Sequence, residues 1–433
     1  MSDRRKKREE QAALDGESVE DFLGRLFEGA DGEEAPSPNA ETPLAVKLRA
    51  RIRQQGPLAL HDYMDACLAD PEFGYYITRD PFGAGGDFIT APDICQIFGE
   101  LLGLWCVHVW AELGQPASCK LIELGPGRGA LMSDALRAAS LVPAFLQAVE
   151  VHFVETSKAL RAAQEERIRA DAEDHGRELP PMFWHDRLED VPEGPTLLIA
   201  NEFLDALPLR QYQFKDGQWY ERLVGLDEKG AFAYQLAAQP CEDLPSSLSL
   251  RKCQAGEGDF LEDCPARTGL VEQLARRAGG TPVAGVFIDY GYGEPAFGDS
   301  FQAIKNHQFA NPLEEPGLAD VTAHVDFAAL VQAASALDLT VAGPVTQRDF
   351  LIALGVRERA AQLMQAQENM IAASQFMTGL QRLIGPDEMG ALFKVVAFAG
   401  AGQPKLPGFE APEDNREDNG EDNGEDNGES DLG

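Results

Sequence analysis

The chain has 433 residues, 44% of them hydrophobic, and a formal net charge of −35, which allows one large α/β domain with insertions or two smaller ones. A chain this acidic is a poor partner for a nucleic-acid backbone, and with no run of about 18 apolar residues it is expected to form no transmembrane helix or stable membrane insertion. Seven cysteines, an odd count without a C-x-x-C pair, argue against a disulfide scaffold or a metal site and for buried, reduced thiols.

The basic start, Met1 to Arg8, has no apolar region behind it and meets Glu9, Glu10 and Asp15 at once, so neither a secretory signal nor a transit peptide is expected. Val19, Phe22, Leu23, Leu26 and Phe27 fall at helical spacing, as a docking helix or an amphipathic fragment that frays. Residues 30–43 read as a linker, and 1–43 as a disordered extension. Residues 44–118 read as a helical, cofactor-lid region, with helical patterns from Pro43 and over 58–68, a Gly- and Pro-rich loop over 71–92 and a long apolar helix over 94–113. In that loop Gly85-Gly-Asp-Phe-Ile-Thr-Ala-Pro92 suits a lid contacting a ligand through Asp87 and Thr90, or an ordinary connection. Trp105, His108 and Trp110 are read as core.

From Lys120 strands and helices alternate. Strands are expected over 121–124, 149–155, 182–185, 196–200, 284–290, 339–345 and 393–399. Helices are expected over 130–140, 157–172 with Ser157 as cap, 270–277, 326–337 and within 349–384. Residues 210–215 and 219–224 read as a hairpin, and 225–265 as irregular. The pattern predicts an α/β, Rossmann-like fold with a mostly parallel, doubly wound sheet over 119–402, an insertion at about 216–265 and an N-terminal helical segment. The segment 403–433 repeats Glu-Asp-Asn-Gly and carries eleven acids against one base over 410–433. It is expected to be disordered.

In such a sheet ligands sit beyond the carboxyl ends of the strands. The first strand ends in Leu121-Ile-Glu-Leu-Gly-Pro-Gly-Arg-Gly129, whose Gly125, Gly127 and Gly129 permit a tight turn and close approach of a ligand to backbone. With Ala130 at the sixth position, a dinucleotide remains compatible with the spacing. Glu123, within the strand, suits a ligand with ammonium and sulfonium charges better than a pyrophosphate. Glu155 ends the next strand, where an acid can accept from both hydroxyls of a ribose. Asp186 follows the third and can receive an adenine amino group, or cap its segment. After the fourth strand, Glu202 and Asp205 are three residues apart and can share one face of a helical turn; they either grip a cation or complement a helix dipole. Asn201, Asp289 at a later strand end and His324 complete the candidates, as substrate contacts.

Several long blocks carry a family resemblance: Gly-Asp-Phe-Ile-Thr-Ala-Pro92, Phe-Gly-Glu-Leu-Leu-Gly-Leu-Trp105, the glycine turn, Ala-Asn-Glu-Phe-Leu-Asp-Ala-Leu-Pro208, Ile-Asp-Tyr-Gly-Tyr-Gly293 and Asp-Val-Thr-Ala-His-Val-Asp-Phe327. Over roughly residues 44–400 the chain resembles the MidA-type methyltransferases, bacterial relatives of the mitochondrial complex I assembly methyltransferase. The resemblance implies a class I methyltransferase fold, S-adenosyl-L-methionine as cofactor, and methyl transfer to protein arginine. In the mitochondrial members the product is symmetric dimethylarginine on a complex I subunit. It carries over Gly125, Gly127 and Gly129 to the cofactor turn and Asn201, Glu202 and Asp205 to the acceptor side, with Glu202 and Asp205 as catalytic residues. It implies the cytoplasm for a bacterial member and the mitochondrial matrix for a eukaryotic one. Ala91 stands where relatives often have serine, and both tails are extra. The competing readings are a non-catalytic assembly chaperone on a methyltransferase scaffold and an NAD-linked oxidoreductase.

Overall fold

A computed structural model describes residues 41–79, 90–245, 255–306, 308–365, 369–400 and 406–410. The helical pattern at 19–27, Asp87 and nearly all of both tails lie outside these residues.

The chain opens with α1 (Pro43–Gln55), which Thr42 caps by accepting the Ala45 N–H at 3.0 Å. The short β1 (Leu58–Ala59), α2 (Leu60–Ala69) and α3 (Tyr75–Thr78) follow, then α4 (Ala91–Ile94) and α5 (Gln96–Glu112). The alternating part runs β2 (Cys119–Leu124), α6 (Ala130–Ala139), α7 (Pro143–Ala148), β3 (Val149–Val154), α8 (Lys158–Asp174), β4 (Met182–His185) and β5 (Thr196–Asn201). Next come β6 (Arg210–Lys215), β7 (Gln218–Leu226), β8 (Phe232–Leu236), β9 (Phe260–Asp263), α9 (Pro265–Ala278) and β10 (Val283–Tyr292). The chain then makes β11 (Gln302–Lys305), β12 (Gln308–Ala310), β13 (Asp320–Thr322), β14 (Val325–Asp326), α10 (Phe327–Ala336) and β15 (Thr340–Thr346). It closes with α11 (Gln347–Ala353), α12 (Val356–Gln365), α13 (Met370–Ile384), α14 (Met389–Leu392) and β16 (Phe393–Ala399).

The central sheet has the order β15-β16-β10-β5-β2-β3-β4, with β14 beside the end of β10. β16 alone on this path runs against its neighbours. Every residue of β2 and β5 is buried, as for strands covered on both faces. One covering core holds α5, α6 and the 350–399 helices, and the other holds α9 and α10. α5 meets α6 so closely that a Cβ on Gly103 would lie 2.3 Å from the Ala135 carbonyl oxygen. Trp105 and Trp110 are core, but His108 is exposed, on the side of α5 turned away from the sheet.

A second core joins segments far apart in sequence. α1, α2 and Tyr75 pack with Leu209, Val224 and Cys264 and with residues 301–323. Its strands form the sheet β1-β7-β6-β9, with β8 on β7, and the small sheet β12-β11-β13. Residues 44–118 are thus split between two cores, and 225–265, expected to be irregular, contain β8 and β9. The half-buried faces of these strands give little alternation to read. Among the described residues no helix is long and apolar enough to cross a membrane.

Candidate functional site

The chain leaves β2 toward β3 and β4 on one side and returns to β5 and β10 on the other, so the crevice opens at the end of β2 and β5. The register sets Leu124, Val154, His185 and Ala200 in one row. The next residues, Gly125, Glu155, Asp186 and Asn201, therefore reach one edge together. A cavity of about 270 Å³ lies there. Gly125, Gly127, Glu155, Thr156 and Asp186 line one side; Tyr76, Glu202, Asp205, Tyr290 and Asp320 line the other.

Gly125 and Gly127 have φ of 60° and 51°, a region L side chains seldom occupy. A Cβ on Gly125 would sit 2.7 Å from the Phe203 ring. Gly129 does not line this cavity; it starts α6, with φ 78° and the Gln164 backbone close by. Gln164, fully buried, donates to the Gly127 carbonyl at 2.8 Å and accepts from the Trp184 indole at 2.8 Å. This buttress, reaching the turn from α8, was not among the sequence candidates. Its only signal is a polar residue on the buried face of a helix.

Glu123 is 3% exposed and its Oε2 has no hydrogen-bond partner among the described residues. Burial pushes its carboxyl up to about 8. Asn201 donates to Glu202 Oε1 at 3.0 Å while its own Oδ1 is likewise buried and unmatched. Both residues line a smaller cavity of about 40 Å³ shared with Gly125, Gly127 and Glu202. Two orphaned oxygens at one void call for a donor-rich, positively charged group. Asn201, expected on the substrate side, lines this smaller void beside the glycine turn and not the larger cavity.

Glu155 accepts the Ser157 N–H at 2.7 Å through Oε1, and burial raises its pKa. Its cavity-facing position suits ribose hydroxyls. Asp186 also lines the cavity, but its side chain is 71% exposed and ion-paired with Arg161.

On the other side the chain turns without forming a helix. Glu202 has φ 49°, and its N–H donates to the Ile288 carbonyl at 2.9 Å. The expectation of a shared helical face is therefore replaced by a bend, and the reason is Asp289. That carboxylate is fully buried and does not line the cavity; it accepts from the N–H groups of Leu204 and Asp205 at 2.8 and 3.1 Å and from Tyr290 at 2.9 Å. Asp289 shapes the turn rather than touching substrate. His324 is also off the cavity: its ring packs edge-on to Tyr290 at 5.5 Å, and burial lowers its pKa.

Glu202 and Asp205 do meet at the cavity. Burial raises Glu202 to about 7, against the opposing pull of the Ala91 N–H, which donates to Oε1 at 2.9 Å. Burial also raises Asp205, against the pull of a hydrogen bond from Tyr290 and the charge of Arg267. Arg267, itself buried, donates to the carbonyls of Leu204, Ala323 and His324 at 2.8, 3.1 and 3.0 Å. Arg267, Tyr290, Tyr76 and Asp320 were missed because each acts across long sequence separations.

The chain is similar to known proteins over most of its length. Residues 101–345 match the model of a family described as "Putative S-adenosyl-L-methionine-dependent methyltransferase". The zebrafish (Danio rerio) protein arginine methyltransferase NDUFAF7, mitochondrial, is 36% identical over 361 residues, covering 80% of this chain and 84% of its own. The human (Homo sapiens) protein of the same name is 32% identical, covering 87% of each chain. Among solved structures, a Burkholderia thailandensis protein bound to S-adenosyl-homocysteine has a TM-score of 0.73 at 28% identity, covering 87% of this chain and 97% of its own.

Proposed function

The chain belongs to this family of S-adenosyl-L-methionine-dependent methyltransferases, and we propose that the group it methylates is an arginine side chain of a protein. The supporting observation is the pair of buried carboxylates, Glu202 and Asp205, on the side of the cavity away from Glu155.

When bound, S-adenosyl-L-methionine supplies an electrophilic methyl group on a sulfonium centre. The residues present fit it: Gly125 and Gly127 give backbone access, Glu155 suits the ribose, and Glu123 with Asn201 offers unmatched oxygens to the ammonium of its amino-acid end. Asp186, at the cavity edge, can accept from the adenine amino group if it leaves Arg161.

A guanidinium is cationic and planar, with its lone pairs delocalised, so it must be held and relieved of a proton. Asp205, steadied by Tyr290 and Arg267, can fix its orientation through charge-assisted bonds. Glu202, near 7, can take the proton that the nitrogen sheds as it gains the methyl group. Positioning does most of the remaining work, because an in-line displacement needs alignment and exclusion of water.

The finer proposal is symmetric dimethylation of a respiratory complex I subunit, supported by the motif resemblance, in the bacterial cytoplasm or, for a eukaryotic source, the mitochondrial matrix. The curated relatives are named mitochondrial. The test is mass spectrometry of co-purifying proteins from cells with and without the chain. Dimethylarginine that vanishes with the chain is expected; methylation confined to lysine or small molecules sinks the acceptor assignment.

A further inference from the structure

We propose that Asp320, held by Tyr76, is a further arm of the acceptor grip and makes the pocket prefer a guanidinium to an ammonium. This rests on the arginine reading above and extends it to residues outside the strand-end motif.

Asp320 opens β13 and is 5% exposed, yet it lines the cavity together with Asp205. The Tyr76 hydroxyl lies 3.2 Å from each of its carboxylate oxygens. The hydroxyl's single proton is shared between the two equally distant oxygens. Burial first, then the charges of Asp320 and Asp205, keep that hydroxyl protonated. Both carboxylates therefore act on one point. On the same wall Tyr290 lies beside Asp205, whose charge helps keep its hydroxyl protonated. Four elements thus bring two tyrosine–aspartate pairs to one space: α3, β13, β10 and the bend after β5.

Their spacing is fixed by backbone. The Ala323 N–H donates to the Asp205 carbonyl at 3.0 Å, and Arg267 ties Leu204 to Ala323 and His324. The segment bearing Asp320 therefore cannot drift from the bend bearing Asp205. A guanidinium presents five N–H donors in a planar fork and can engage carboxylates on different sides; an ammonium is a compact point charge. The family motif over residues 320–327 drew attention to His324, but Asp320 is its member at the cavity.

The probes are S-adenosyl-L-homocysteine and two analogues with nitrogen in place of sulfur, one bearing a guanidinoethyl and one an aminoethyl arm. Calorimetry on the full chain should show the guanidine analogue binding about tenfold or more tighter than the amine, the scale of one charge-assisted bond. Asp320→Asn should erase most of that preference while S-adenosyl-L-homocysteine binds as before, and Asp320→Glu should restore part of it. Tyr76→Phe keeps the ring and should reduce the preference by about threefold or more, a test that stands even if Asp320→Asn fails to fold. An unchanged preference in Asp320→Asn, or in Tyr76→Phe where the first does not fold, overturns the inference and leaves the arginine reading standing. No preference in the wild type overturns both.

Discussion

Replacing Glu123 with glutamine tests the electrostatics of the cofactor turn. The carboxyl is raised from 4.5 to about 8 by burial alone, so forming the carboxylate here is roughly 5 kcal/mol harder than in water. In the empty protein at pH 7 Glu123 is mostly protonated. A bound ammonium reverses that balance, because its charge and hydrogen bonds favour the ionised acid. Binding of S-adenosyl-L-methionine at pH 7 should therefore release close to one proton from this site, and affinity should rise about tenfold per pH unit up to pH 8 before levelling. Calorimetry in buffers of different ionisation heat reads the proton directly. Glu123→Gln should abolish the release and bind about ten- to hundredfold more weakly at pH 8. A buffer-independent heat in the wild type, or equal affinity in the variant, would refute this reasoning.

Gly127→Val should abolish cofactor binding without unfolding the protein, because a β-branched residue at φ 51° is strained where the ligand meets backbone; binding calorimetry beside a thermal melt checks it. Glu202→Gln should keep cofactor binding, lower transfer by about a hundredfold and remove the rise in rate that the wild type shows as pH passes about 7, read from a pH–rate profile. Arg267→Met should cost about 3 to 5 kcal/mol in a denaturant melt, since it strips three backbone carbonyls of a donor and leaves buried Asp205 and Asp289 without their cation. Glu123 and Glu202 hold protons more tightly folded than unfolded, so the native state binds the excess between about pH 4.5 and 8. Stability of the empty protein should therefore fall as pH rises through that window, and fall less in Glu123→Gln, as thermal melts across pH would show.

The sheet was legible because the central strands carry short, mostly apolar runs ending in a turn signal, as with residues 197–200 within Thr196–Asn201. The cofactor turn was legible for the same local reason. The acceptor side was not. Glu202 and Asp205 stand in one motif, but the bend that aims them is set by Asp289, more than eighty residues away. Asp289 and His324 were sensible candidates at strand ends, yet one is consumed by backbone N–H groups and the other packs against Tyr290. The second core was hidden because α1 and α2 pack against residues 301–323, more than two hundred residues away in sequence.

That second core bears on how the protein could change over time. It supplies Tyr76 and Asp320, whereas the cofactor turn belongs to the central sheet. Substitutions within residues 43–78 and 301–323 can reshape the acceptor wall while Gly125, Gly127 and Glu155 stay as they are. On the proposed acceptor grip, drift in two distant stretches of the gene can change which acceptor is held, and a graft between relatives that aims to carry that choice should move both stretches together.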